Sequence, residues 1–184
     1  MKIDFKIFLS ILICTFGIGC NSKNKVTLVQ KPEMTAAKIL GNPDYVAISY
    51  GGYRERSREA QPTIAQLKED LKLMHAMGIR VLRTYNVQPN LPHAANILEA
   101  ISQLKKEDLN FEMYVMLGAW IDCLNAWTTK VPNHEIESDQ NEGEIARAVA
   151  LAQQYPKIVK VIAVGNEAMV KWAASYFVQP RVIL

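Results

Sequence analysis

Asn166 and Glu167 close a run, Val159 to Gly165, made mostly of β-branched and small apolar residues. Such a run reads as a strand covered on both faces, and nothing in packing requires two polar residues directly after it. At the carboxyl end of a parallel strand they would lie on the edge where α/β folds place their ligands. Tyr50, Arg83 with Tyr85, and Trp120 with Asp122 stand at the ends of three other β-prone runs. This set suits sugars. Aromatic rings offer flat faces to the C–H side of a pyranose, Arg, Asn and Asp give directional hydrogen bonds to hydroxyls, and a protonated Glu can deliver a proton to a glycosidic oxygen. Each residue also has a quieter explanation. Arg83 could pair with a carboxylate, Tyr50 and Tyr85 could be core aromatics, Trp120 and Trp127 a minor core under a loop, and Glu167 half of a buried ion pair. Trp172 poses the same choice. His75 and His93 read as surface residues, His134 as structural, and Glu135, Glu137 and Asp139 as a solvated acidic loop.

The elements that must position these residues alternate. A short strand from Tyr45 to Tyr50 is closed by Gly51-Gly52, and a charged loop follows from Arg54 to Glu59. Thr63 and Gln66 form a possible capping box for a helix with Ile64, Leu67, Leu71 and Met74 at helical spacing, which Gly78 ends. Ile79 to Tyr85 is a second strand, with Arg80 and Arg83 unusual in a buried run. A helix from Pro89 to Lys106 buries Ile97, Leu98, Ile101 and Leu104. Phe111 to Leu117 is a third strand, punctuated by Gly118. A long connection, Ala119 to Gln140, follows, and loops of that length in compact domains are usually functional. A third helix from Glu142 to Tyr155 turns Ile145, Val149 and Ala152 inward, before the strand that ends in Asn166-Glu167. The order β, α, β, α, β, α, β fits parallel strands with helical crossovers. A doubly wound sheet and a (β/α)8 barrel both satisfy it, although the barrel typically needs about 250 residues. No dinucleotide fingerprint or Walker loop is present.

Composition sets the outer bounds. The 184 residues are 49% hydrophobic and 21% charged, with a net charge of +3, which is ordinary for a globular domain. The positive charge is spread along the chain, so no nucleic-acid partner is expected. At the N-terminus, Lys2 and Lys6 precede an apolar run from Ile7 to Ile18 that is short of the roughly 20 residues a bilayer span needs. Gly19-Cys20 then closes the run in the manner of a bacterial lipobox, with Cys20 as the lipidated residue, against the alternative of an ordinary cleaved signal. The resulting division is a signal peptide over 1–20, a polar tether over 21–43 and a domain over 44–184. Cys123 is left without a disulfide partner and reads as a small, partly buried apolar residue. No metal cluster and no cofactor are expected.

Three stretches in order carry a resemblance: Tyr50-Gly51-Gly52-Tyr53-Arg54, Ile79-Arg80-Val81-Leu82-Arg83-Thr84-Tyr85, and Val164-Gly165-Asn166-Glu167. Together they resemble glycoside hydrolase family 17, a family of β-1,3-glucanases and glucan transglucosylases. The resemblance spans roughly residues 45–184. It implies α/β architecture as the N-terminal half of a (β/α)8 TIM barrel, about four βα units. It implies a retaining mechanism on β-glucan, with Glu167 as general acid/base and Asn166 beside the scissile bond. Tyr50, Arg83, Tyr85, Trp120 and Asp122 are the accompanying candidate substrate contacts. The family's nucleophile is a second Glu at the end of a seventh strand, and the chain stops soon after its fourth. The expectation is therefore a truncated, inactive form, lipid-anchored at the bacterial cell envelope and able to self-associate through open strand edges. The alternative is a non-catalytic glycan-binding lipoprotein fragment.

Overall fold

The computed structural model describes residues 33–184, so the proposed signal peptide, Cys20 and the tether up to residue 32 lie outside the described residues. The elements in chain order are α1 (Ala36–Ile39), β1 (Val46–Ser49), α2 (Ile64–Ala76), β2 (Ile79–Arg83), α3 (His93–Glu107), β3 (Tyr114–Ala119), β4 (Cys123–Leu124), β5 (Asn133–Glu137), α4 (Gln140–Gln154), β6 (Val159–Val164) and a 3-10 turn (Pro180–Val182). Four strands form one sheet in the order β1-β2-β3-β6, every pair parallel.

Helix placement decides between the two architectures. Leu67, Leu71 and Met74 of α2, Ile97, Leu98, Ile101 and Leu104 of α3, and Ala148 of α4 share one core with Leu82, Val115, Leu117 and Ala119 of the strands. Three helices on one face, over strands that follow each other in sequence order, make the first four strands and three crossover helices of a (β/α)8 barrel. A doubly wound sheet would need helices on both faces. Leu67, Leu71, Leu82, Ile97, Leu98 and Ile101 are fully buried, each worth about 1.5–3 kcal/mol relative to exposure.

The opposite face looks toward the barrel axis. There Val81 and Tyr114 bury Ile39, flanked by Met34 and Tyr45. Packing thus begins at Met34, ten residues before the domain start at 44 expected from sequence, because a helical turn too short to show a period carries one well-placed isoleucine. The capping box is present: the Thr63 side chain accepts from the Gln66 amide and the Gln66 side chain accepts from the Thr63 amide. Gly78 has φ of 88°, as a helix-ending glycine should.

Three local expectations change. In α4 the buried residues are Asn141, Glu144 and Ala148, while Val149 is 40% exposed. Gly118 lies inside β3, where an added Cβ would sit 2.4 Å from the Thr84 carbonyl oxygen. The long connection is partly ordered as a hairpin of β4 and β5. Arg80 in β2 also has its explanation, donating to the carbonyls of His75 at 2.8 Å and Ile79 at 2.9 Å.

Candidate active site

The carboxyl ends of β1, β2, β3 and β6 share one edge, and parallel pairing sets what meets there. Arg83 ends β2 and Asn166 follows β6; the Arg83 guanidinium donates to the Asn166 side-chain oxygen at 2.9 Å, across the intervening strand β3. Arg83 also stands 5.9 Å from the Tyr85 ring centroid, a cation–π contact. Three residues expected from sequence, Arg83, Tyr85 and Asn166, are therefore joined directly. The Asn166 amide orientation is fixed by this bond, which presents its NH2 group away from Arg83.

Glu167 follows with a left-handed backbone, φ of 53°, after Gly165 at 78°. These two turns lift the carboxylate off the strand axis and leave it exposed. The Tyr176 hydroxyl donates to Glu167 Oε2 at 3.4 Å. Tyr176 is mostly buried, and burial, followed by the Glu167 charge, raises its pKa and keeps the hydroxyl protonated as a donor. Its ring stacks on Trp127 at 4.8 Å and tilts against Trp120 at 5.2 Å.

Asp122 anchors that aromatic group. Its carboxylate accepts from the Trp120 indole at 2.6 Å and from the Trp127 indole at 3.1 and 3.2 Å. Burial raises the Asp122 pKa, opposed by the two indole donors. Asp122 is itself held through its backbone: its N–H donates to the Asn141 side-chain oxygen at 2.9 Å, and its carbonyl accepts from the Asn141 NH2 at 2.9 Å. Trp120 and Asp122 are thus brought together, with the Asp122 carboxylate committed to two indoles. The two tryptophans do form a small cluster, but Trp127 remains 61% exposed and available to a ligand.

Tyr50 is placed differently. Its hydroxyl donates to Asp70 on α2 at 2.7 Å, while Arg54 binds Asp70 at 2.5 Å and the Gln66 carbonyl at 2.7 Å. The Tyr50 to Arg54 stretch therefore docks the β1 loop onto α2. Gly52 makes that docking possible: its φ is 77°, and an added Cβ would meet Leu67 at 2.6 Å. Tyr53 reaches His93 Nδ1 at 2.8 Å. His93, expected at the surface, is fully buried at the start of α3, and burial lowers its pKa. His75 is half-buried rather than a surface residue, stacked on Phe111 at 4.7 Å with its Nε2 accepting from the Glu112 amide. His134 is structural, stacked on Phe177 at 3.6 Å. Cys123 is free and buried in β4, and burial raises its pKa.

The residues that sequence reasoning missed sit behind the site. Glu144 Oε1 accepts from the Val87 amide at 2.6 Å and the Trp120 amide at 3.1 Å, clasping the loops after β2 and β3. Arg147 completes the clasp, bound to Glu144 at 3.0 Å and to the Val87 carbonyl at 2.8 Å. Asn141, Glu144 and Arg147 recur every third residue on the inward side of α4. That polar stripe among core positions was a readable signal. Tyr176 had none, since it lies among turns beyond the last strand. Among the described residues, no group of three or more His, Cys, Asp or Glu could hold a metal ion.

Comparison with known proteins adds one marked likeness. A crystal structure of an endo-laminarinase from Formosa Hel1_33_131 superposes with a TM-score of 0.79 at 69% identity, over 82% of this chain. The chain covers 38% of that enzyme's length. No protein-family profile matches the sequence. No curated protein matches it either.

Proposed function

We propose that this chain carries the acid/base half of a retaining β-1,3-glucan-cleaving site of the family 17 type. The observation that carries the reading is Glu167 at the carboxyl end of β6, preceded by an Asn166 that Arg83 fixes from β2. The likeness to an endo-laminarinase supports β-1,3-glucan as the substrate class. In the first step Glu167 donates its proton to the glycosidic oxygen as the C–O bond breaks and a carboxylate on the other side of the ring forms a glycosyl ester. In the second, Glu167 takes a proton from water, or from an acceptor sugar hydroxyl, which attacks the same carbon and releases the ester. Asn166, oriented by Arg83, addresses a ring hydroxyl beside the scissile bond.

Retention requires the two carboxyl groups to stand about 5–5.5 Å apart. The family pattern puts the nucleophile at a seventh strand, and the described residues hold four parallel strands. The 184 residues alone are therefore proposed to bind glucan without turning it over. The aromatic wall of Trp120, Trp127 and Tyr176 supports this glycan-binding reading, because Trp127 stays exposed while the Asp122 carboxylate is committed to the two indoles. Anchoring at the cell envelope through a lipidated Cys20 is proposed on the leader's pattern of Lys2, Lys6, apolar run and Gly19-Cys20.

A chimera tests the reading, with residues 33–184 replacing the matching segment of the endo-laminarinase. It is expected to hydrolyse laminarin, and Glu167→Gln is expected to lower that rate by about 10²–10⁴-fold. A chimera whose rate ignores Glu167→Gln would contradict the assignment.

A further inference from the structure

Beside the aromatic cluster lies a cleft of about 260 Å³ that Asn166 and Glu167 do not line. Trp120 and Trp127 form its apolar wall, and Gln88, Asn90 and Gln140 stand around it. The side-chain amides of these three make no hydrogen bond within the described residues. Of the other polar groups, the Ser138 hydroxyl accepts from the Gln140 backbone amide at 3.3 Å, and the larger side chains are held within the protein. Asp122 is held by two indoles, Asn141 by the Asp122 backbone, and Arg147 by Glu144 and Val87.

We infer that this cleft is a subsite for one neutral hexose residue of a glucan, set apart from the bond that Glu167 addresses. The inference rests on the glucan reading above. Three features select that ligand. An aromatic wall beside unpaired carboxamides is the lining that binds a pyranose, one face to the rings and vicinal hydroxyls to amide donor and acceptor pairs. Charge excludes anions: Asp122 and Glu144 are set against the single Arg147, whose guanidinium is already ion-paired. The volume is below the roughly 300–1,000 Å³ of sites for drug-sized ligands, so it admits a single ring.

Position gives the subsite its use. Trp127 lines the cleft and stacks on Tyr176, which hydrogen-bonds Glu167. One continuous aromatic surface thus runs from the cleft to the acid/base. A sugar held at the far end anchors the chain while a more distant linkage lies at Glu167, so remote binding energy is available for orienting the reacting bond.

The indole N–H resonances of the three tryptophans report on this directly in the 184-residue chain, since Trp120 and Trp127 line the cleft and Trp172, 72% exposed elsewhere, serves as reference. Titration with the β-1,3-linked glucose trimer is expected to move the Trp120 and Trp127 signals and leave Trp172 in place. Gln88→Ala with Asn90→Ala is expected to weaken that response by about five- to tenfold, with Gln140→Ala acting in the same direction. Unmoved Trp120 and Trp127 signals, or a response that survives all three amide substitutions in variants with wild-type melting, would overturn the subsite. Failure of the catalytic reading shows separately, as a chimera indifferent to Glu167→Gln with the tryptophan response intact.

Discussion

Trp127 and Glu167 both adopt left-handed backbone, with φ of 61° and 53°. Neither side chain favours that conformation, which costs on the order of 1–3 kcal/mol per residue. Both contact Tyr176. The strain is held by what it achieves locally: the Trp127 indole reaches Asp122, and the Glu167 carboxylate reaches a hydroxyl that stays protonated. Tyr176→Phe in the laminarinase chimera is therefore expected to lower kcat by several-fold, on the order of a lost hydrogen bond to a charged group, with KM little changed. An equal effect on KM alone would assign Tyr176 to binding. A second residue-scale prediction concerns His93, whose Nε2 has no hydrogen-bond partner among the described residues. Burial lowers its pKa, so the unfolded chain takes up the proton more readily than the folded one. Its contribution to stability is full above about pH 6.5 and declines as pH falls through the lowered folded value. Thermal melts from pH 7.5 down to 5 are expected to show a steeper loss for the wild type than for His93→Gln, and parallel curves would refute this.

At the scale of elements, the site depends on how closely β2 and β3 approach at their carboxyl ends. Gly118 donates its amide to the buried Thr84 hydroxyl at 3.0 Å, and backbone atoms of Thr84 and Tyr85 occupy the space a Cβ would need. Backbone cannot swing aside as a side chain can. Gly118→Ala is expected to cost about 1–3 kcal/mol, as overpacking does, and to disturb Tyr85 on one side and Trp120 on the other. Chemical denaturation measures the first effect, and the Trp120 indole resonance the second. This element also shows where sequence was informative. Three crossover helices and four strands were legible because their apolar periods are long and bounded by signals such as the Thr63 cap and Gly78. Arg83, Tyr85, Asn166 and Glu167 were legible because polar residues at the ends of buried runs have no packing reason to be there. Tyr50 occupies an equivalent position yet serves α2, since strand-end location alone does not say which way a side chain turns. The burial of His93 and the role of Tyr176 depend on neighbours far away in sequence, and no local pattern reports them, whereas the polar stripe of Asn141, Glu144 and Arg147 on α4 did mark the clasp.

Residues 33–184 present four strands and three crossover helices of a barrel, with β1 and β6 at the edges of the sheet. Val46 at 52%, Ile48 at 42% and Val164 at 44% exposure lie along those edges, which are templates for pairing with another chain. The 184-residue chain is proposed to self-associate, and sedimentation is expected to show its weight-average mass rising with concentration. A monodisperse monomer throughout would refute that. The central claim, however, is the chemical role of Glu167, and leaving-group dependence tests it most directly. In the laminarinase chimera, Glu167→Ala is expected to lower laminarin hydrolysis by about 10²–10⁴-fold. A β-glucoside whose activated aryl leaving group needs no proton should react at a far less impaired glycosylation rate, with added azide producing the β-glucosyl azide. Equal losses on both substrates, with no azide product, would contradict the assignment of Glu167 as the acid/base.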